Sequence, residues 1–285
     1  RAGLLVFLVG EQKPPSAGEA SYDMAWYGGK YDTSTSVFGG SRAGPDCLLV
    51  VPCKDCGAGN RRVGPCCGGS GRLSGRVYMH VSRYEMPPFG LVPANGLILV
   101  DKGEAFLFDT PWTESQTEVL LDWIENVLHA RVTACVPNHW HKDAMGGLPA
   151  VHRRGPTYAY DGTIAIARQK GLRPPEHGFA SERTLKLHGL EVHNVYLGGG
   201  HSTDGIFVWI PAENLLFPGC MAKDAKAVNL GNTEDADVRA WPGTMEKALA
   251  AFPDARIVVP GHGQPGGPEL LRHTRDLALR AGGSR

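Results

Sequence analysis

Residues 130–147 read ARVTACVPNHWHKDAMGG, in which a short apolar segment leads directly into two histidines and an aspartate at alternate positions. An apolar segment of this length, rich in β-branched residues, predicts a buried strand. His139, His141 and Asp143 follow its C-terminal end, which is where open α/β layers place their ligands. Alternate residues of an extended segment point the same way, so the three side chains can converge on one metal ion. Taken alone, the pattern also fits a solvated loop with incidental histidines.

Three further Gly-flanked segments carry residues that bind metals. His201 lies in GGGHSTDG, Cys220 in FPGCMAKD and His262 in VPGHGQPGG, each after a predicted strand. Singly, each would more often be a core-edge histidine or a buried thiol. A catalytic zinc ion takes three protein ligands and keeps one position open, so six donors favour two zinc ions over one. Jointly, the four segments predict a metal centre.

The text before the motif predicts strands and then a helix. Strands are predicted in GRVYMHVSRY and NGLILVDKGEAFLFDT, with Asn95-Gly96 and Asp101-Lys102-Gly103 as turn signals. In TPWTESQTEVLLDWIENVLHA, apolar residues recur at helical spacing, and Thr113 and Gln116 predict a capping box. Asp143 is the predicted N-cap of a helix through AMGGLPAVHRR.

The text after the motif continues the alternation of strands and helices. Strands are predicted in LEVHNVYLG, DGIFVWIPAENLLFPG and ARIVVPGHG, and helices in VRAWPGTMEKALAAF and GPELLRHTRDLALRA. This order is typical of α/β layers, so we predict one catalytic domain over residues 73–285.

Residues 1–72 differ in character and are predicted to form a low-complexity leader. Five of the seven cysteines fall in this part of the chain. Cys53-x-x-Cys56 is followed by adjacent Cys66 and Cys67, which do not supply the second knuckle of a zinc ribbon. Incidental thiols are therefore the favoured interpretation, and RAGLLVFLVG is compatible with the remnant of a secretion signal.

Composition and charge narrow the classes of partner. Lys+Arg and Asp+Glu both number 29, so bulk charge does not favour a nucleic acid or an anionic membrane surface. The apolar runs are far shorter than the roughly 20 residues that cross a bilayer, so no membrane span is predicted. Function must therefore come from a local site.

These segments together resemble the metallo-β-lactamase superfamily, and more narrowly the class B zinc β-lactamases with a cysteine in the second metal site. The resemblance covers about Leu73 to Arg280 and is carried by LVPANGLILVDKGEAFLFDTPWTESQTEVLLDWI, NHWHKDAMGG, GGGHSTDGIFVWIPAENLLFPGCMAKD, NLGNTEDADVRAWP and VVPGHG. It implies a four-layered αβ/βα sandwich with two zinc ions at one edge. The implied ligands are His139, His141 and His201 for the first zinc, and Asp143, Cys220 and His262 for the second.

The resemblance also implies a reaction and the residues that serve it. The implied activity is hydrolysis of the amide bond of penicillins, cephalosporins and carbapenems by a hydroxide that the metals hold and Asp143 orients. Lys223 matches the cation for the substrate carboxylate, and Asn232 the donor to the lactam carbonyl. Asp109 matches a buried acid behind the ligands. SRYEMPPFGLVPAN matches a hairpin that folds over substrate, with contacts from Met86, Pro87 and Phe89.

Several alternatives stand beside this interpretation. Mono-zinc β-lactamases carry Asn in place of His139, and glyoxalase-type and nuclease-type relatives place His directly after the aspartate, where this chain has Ala144. A superfamily hydrolase of thioesters or lactones remains open, as does a zinc-storage or redox-sensing protein that uses the N-terminal cysteines. The resemblance implies a monomer in the periplasm or outside the cell, although the cysteine-rich leader departs from the family's short signal peptide.

Overall fold

Two five-stranded β-sheets form the centre of the computed structural model, which describes residues 48–50 and 73–283. The first sheet consists, in spatial order, of β1 (Leu48–Val50), β2 (Val77–Met86), β3 (Gly90–Asp101), β4 (Glu104–Phe108) and β5 (Arg131–Val136). A separate pair consists of β6 (Tyr158–Tyr160) and β7 (His177–Phe179). The second sheet consists of β8 (Glu182–Leu187), β9 (Leu190–Tyr196), β10 (Ile206–Ile210), β11 (Leu215–Gly219) and β12 (Ile257–Pro260).

Six α-helices accompany these strands in the described residues. They are α1 (Glu114–Val127), α2 (Lys142–Met145), α3 (Leu148–Val151), α4 (Asp161–Gln169), α5 (Trp241–Ala251) and α6 (Glu269–Gly282). Both main sheets are antiparallel except for the pairs β4–β5 and β11–β12, which are parallel. Because the strands of a parallel pair end at the same edge of the sheet, the loops that follow them are brought together.

Strands β3 and β10 bury apolar residues on both faces, because layers cover both sides of each main sheet there. On β3, Leu97 and Leu99 join the core between the sheets, whereas Ile98 joins the cluster under α1. Successive strand residues point to opposite faces, so this alternation separates the layers. On the outer face of the second sheet, Trp241 of α5 and Leu271 of α6 pack in a third cluster. The predicted αβ/βα sandwich is confirmed.

The start of α1 confirms half of the predicted capping box. The Thr113 hydroxyl accepts the backbone N–H of Gln116 at 3.2 Å, as expected for an N-cap. The Gln116 side chain does not return to Thr113 but donates to the Arg83 carbonyl at 2.8 Å. The reciprocal half of the box is therefore wrong, because this amide ties α1 to β2 instead.

One of the two predicted turns is correct and the other is wrong. Lys102 and Gly103 have φ of 47° and 79° and connect β3 to β4 in a tight hairpin. Asn95 and Gly96, in contrast, lie inside β3 and pair with β2. A Cβ on Gly96 would lie 2.2 Å from His80 Nε2, so this glycine serves a close approach and not a turn.

The predicted helix after Asp143 is also different in the structure. Two short helices, α2 and α3, stand in its place, and His141 occupies the N-cap position of α2. Asp143 lies inside the first turn of α2, and its carboxylate turns toward Cys220 and His262. Gly146 and Gly147 separate the two helices, which explains why one continuous helix does not form.

The predicted leader falls mostly outside the described residues. Its cysteines (Cys47, Cys53, Cys56, Cys66 and Cys67) all lie outside them. Leu48–Val50 is described, and pairs with β2 as the edge strand of the first sheet. The boundary between a leader and a domain from residue 73 stays a prediction. No helix in residues 73–283 is long and apolar enough to cross a membrane.

Candidate metal centre

Six side chains of the types that bind metals meet at the edge of the two main sheets where β5, β9, β11 and β12 end. His139 and His141 follow β5, Asp143 lies in α2, and His201 follows β9. Cys220 directly follows β11, and His262 follows β12. Their ligand atoms form three overlapping groups, each within 4.8 Å: His139, His201 and Cys220; His139, His141 and Asp143; Asp143, Cys220 and His262. The structure therefore brings together all six predicted ligands.

Three histidine rings form one side of the centre. His139 Nε2 lies 3.0 Å from His141 Nδ1, which lies 3.1 Å from His201 Nε2. Burial lowers the pKa of His139 to about 3 and that of His201 well below its ordinary value. Both rings are therefore neutral at pH 7 and can offer a lone pair. Three imidazole nitrogens that converge in this way fit the donor set of a zinc ion.

The other side of the centre combines a carboxylate, a thiol and an imidazole. Asp143 Oδ2 lies 3.2 Å from Cys220 Sγ and 3.1 Å from His262 Nε2. Burial acts to raise the pKa of Asp143, but His139 and His262 outweigh it and hold that pKa well below its usual value. Burial, and then Asp143, raise the pKa of the Cys220 thiol. A cation at this point would favour the thiolate, and the mixed donors suit zinc.

Two of the candidate ligands are held from behind by groups that sequence reasoning missed. His141 Nε2 lies 3.0 Å from Asp235 Oδ2, which leaves Nδ1 to face the other rings. His262 Nδ1 lies 2.6 Å from the Pro93 carbonyl of β3, which leaves Nε2 to face Asp143. A partner of this kind fixes the tautomer and orientation of a metal-binding histidine. The only signal for Asp235 was an acidic stretch, NTEDAD, far along the chain from His141.

Asp109 and Asn138 form the base of the loop that carries His139 and His141. Asp109 has φ of 57°, and its buried carboxylate accepts the backbone N–H of Asn138. Burial raises the pKa of Asp109 well above its ordinary value, although the Asn138 N–H opposes the rise. The Asn138 side chain donates to the Ile206 carbonyl, which ties β5 to β10. Asp109 therefore lies behind the ligands as predicted, whereas Asn138 was not singled out.

Lys223 and Asn232 lie in the long segment between β11 and α5. The Lys223 ammonium lies 5.5 Å from the centroid of the Trp241 ring. A Cβ on Gly231 would lie 4.0 Å from Lys223 Nζ, so the loop that carries Asn232 passes beside this cation. The Asn232 side-chain oxygen accepts a hydrogen bond from the Glu234 N–H at 3.0 Å. The NH₂ group of the same amide is therefore the end that can donate to a substrate.

The predicted substrate hairpin is formed by β2 and β3. Met86 pairs with Gly90 at the end of the two strands, so Pro87 and Phe89 lie at the tip. Phe89 is 59% exposed, which is unusual for so large an apolar side chain. From this tip, β3 runs back to Pro93 and so reaches the partner of His262. The hairpin thus begins beside the candidate metal centre.

The sandwich and its edge of histidine, aspartate and cysteine ligands define a class of metal-dependent hydrolase. The sequence profile of the metallo-beta-lactamase superfamily matches residues 89–262. The chain belongs to this superfamily.

The similar proteins share both sequence and fold with this chain. "Metallo-beta-lactamase type 2" of Bacteroides fragilis is 51% identical over 207 residues, which cover 72% of this chain and 83% of that protein. The protein of the same name from Bacillus sp. (strain 170) is 36% identical over 72% of this chain and 80% of its own length. The solved metallo-beta-lactamase from Pontibacter korlensis superposes with a TM-score of 0.71 at 38% identity, over 74% of this chain and 98% of its own.

Proposed function

We propose that this chain is a class B β-lactamase that holds two zinc ions and opens the amide bond of penicillins, cephalosporins and carbapenems. The observation that carries the proposal is the convergence of six donors, in which three imidazoles linked at 3.0 and 3.1 Å lie beside a carboxylate, a thiol and a fourth imidazole. The similar proteins bear the name metallo-beta-lactamase, which supports the reaction class. Export from the cytoplasm and a monomeric state remain proposals that rest on the family resemblance.

The residues of the centre divide the work of the reaction. When bound, zinc supplies a nucleophile from water near neutral pH and acts as a Lewis acid. The Asp143 carboxylate, buried between His139 and His262, accepts a hydrogen bond from the attacking water and so orients it. The NH₂ group of Asn232 donates to the lactam oxygen as negative charge develops there. These two side chains are the proposed catalytic residues of the chain.

Lys223 and the apolar tip of the hairpin between β2 and β3 are the proposed substrate-binding groups. Lys223 offers a point charge to the carboxylate that these antibiotics share. Its ammonium is held near the Trp241 ring and beside Gly231, so the charge has a defined position. Met86 and Phe89 at the hairpin tip cover the apolar part of the substrate. Orientation of the reacting bond follows from these contacts on its two sides.

Replacing Lys223 with alanine is expected to raise KM about tenfold to hundredfold and to lower kcat by less. A hydrogen bond to a charged group contributes about 1.5–3 kcal/mol, and this one acts mainly in binding. Steady-state kinetics with a carbapenem measure the effect. Lys226→Ala serves as the control, because Lys226 is an exposed cation only three residues away. Loss of turnover at saturating substrate with an unchanged KM would mean that Lys223 has a different role.

Replacing Cys220 with serine is expected to reduce the zinc retained by the protein from two equivalents toward one. A hydroxyl is a much poorer donor to zinc than a soft thiolate. Metal analysis after gel filtration without added zinc measures this loss. Cys135→Ser is the matched control, since Cys135 is also a buried free thiol but lies within β5. Equal zinc content in the two variants would show that Cys220 is not a ligand.

A further inference from the structure

Asp204 is a fully buried carboxylate that lies outside the set of candidate ligands. It stands in the loop between His201 and β10, three residues after that histidine. Its Oδ2 accepts the backbone N–H of Trp140 at 2.9 Å. Trp140 is the residue between His139 and His141, so one side chain joins the two loops that provide the three histidines.

The hydrogen bond between Trp140 and Asp204 is one of several that join the two loops. Next to it, the backbone N–H of Ile206 donates to the Asn138 carbonyl at 3.0 Å. The Asp204 bond lies closer to the histidines, because its donor belongs to the residue between them. A shift of the Trp140 amide would move the rings of His139 and His141 together relative to His201. The distances of 3.0 and 3.1 Å among these rings depend on that register.

Burial of the Asp204 carboxylate costs free energy of solvation, and a hydrogen bond from the protein offsets part of this cost. Burial raises the pKa of Asp204, and the backbone N–H of Trp140 acts against that rise. Buried polar groups in native proteins are generally hydrogen-bonded, and a neutral apolar side chain here would leave the Trp140 N–H unpaired.

We infer that Asp204 is a positioning residue for the first metal ion, through the Trp140 amide. It sets the spacing between the His139 and His141 pair and His201, and does not contact the metal. The inference rests on the proposed zinc function. We expect loss of Asp204 to weaken the binding of the first metal ion only, because Asp143, Cys220 and His262 are held by other contacts.

The test compares Asp204→Ala and Asp204→Asn with the wild-type chain. Zinc affinities come from competition with a chromophoric chelator, and the visible and near-ultraviolet spectra of the cobalt(II) form report each half of the centre. In Asp204→Ala the affinity for one zinc is expected to fall about 10–100-fold. The thiolate-to-cobalt charge-transfer band from Cys220 keeps its intensity while the remaining bands change. Asp204→Asn keeps an oxygen acceptor for Trp140 and restores most of the affinity.

Asn194→Ala controls for the general loss of a buried polar side chain. Asn194 is buried within β9 and donates to the Arg183 carbonyl at 3.0 Å, away from the histidine loops. This variant is expected to lose stability but to keep both zinc affinities. Wild-type affinities in Asp204→Ala, or equal weakening of both metals, would overturn the assigned role. A wild-type chain that binds no zinc and opens no β-lactam would instead overturn the proposed function, and the role of Asp204 with it.

Discussion

Replacing Asp143 with alanine lowers kcat/KM for a carbapenem by about 10³-fold or more. This carboxylate contacts three candidate ligands: Oδ1 lies 3.6 Å from His139 Nε2, and Oδ2 lies 3.1–3.2 Å from His262 and Cys220. Under the proposed function, its removal takes away a ligand of the second metal and the group that orients water. Metal catalysis supplies several kcal/mol of transition-state stabilisation, and each 1.4 kcal/mol is a factor of ten in rate.

The interpretation of this loss requires that the variant remains folded. Circular dichroism and the unfolding midpoint of Asp143→Asn, which keeps the shape of the side chain, provide that evidence. Asp254→Ala removes an exposed carboxylate in the turn between α5 and β12 and is expected to leave kcat/KM unchanged. A folded Asp143→Asn protein with wild-type turnover would rule out a catalytic role for this residue.

Replacing Trp241 with alanine lowers the free energy of unfolding by about 3–5 kcal/mol, the usual range for a large aromatic residue in a core. Trp241 is fully buried under the second sheet, and its Nε1–H donates to the Met221 carbonyl at 2.8 Å. Its ring also lies near His201, with 6.2 Å between centroids. Activity is therefore expected to fall together with stability. Urea unfolding followed by circular dichroism measures the change.

Trp209→Ala is the matched control for this second prediction. Trp209 belongs to the same outer cluster as Trp241, but it lies on β10, is only partly buried, and its ring is tilted against that of Phe252 with 5.9 Å between centroids. Less apolar surface is removed from the interior, so the loss of stability is expected to be clearly smaller. Equal losses in the two variants would contradict the packing assigned to Trp241.

Local sequence patterns were sufficient to predict α/β layers and the residues that the structure brings together at the candidate metal centre. The helical spacing in α1 and the apolar runs of β5 and β10 are properties of neighbouring residues, so they can be read without the fold. Each of the six candidate ligands lies in a segment that follows a predicted strand, and this position indicates a shared edge. The same local reasoning failed at Asn95-Gly96. There the glycine is required by the His80 ring of a neighbouring strand.

The groups behind the ligands could not be predicted in this way. Asp235 meets His141 across 94 residues, and the Pro93 carbonyl meets His262 across 169 residues. A backbone carbonyl has no residue type to mark it, and an acidic residue in a polar loop is usually solvated. Asp204 is similar, because its role depends on a backbone amide 64 residues away. Such pairings become visible only when the two sheets are in place.

Hydrolysis of a carbapenem by the full chain, measured together with its zinc content, tests the proposed function. We expect two zinc ions per chain, ring opening that stops when a chelator removes them, and recovery of the rate when zinc is returned. Turnover that persists in the metal-free protein would show that the metal centre does not carry the reaction. A folded chain with two zinc ions that opens no β-lactam would contradict the proposed function, and such a result would redirect attention to thioester or lactone substrates.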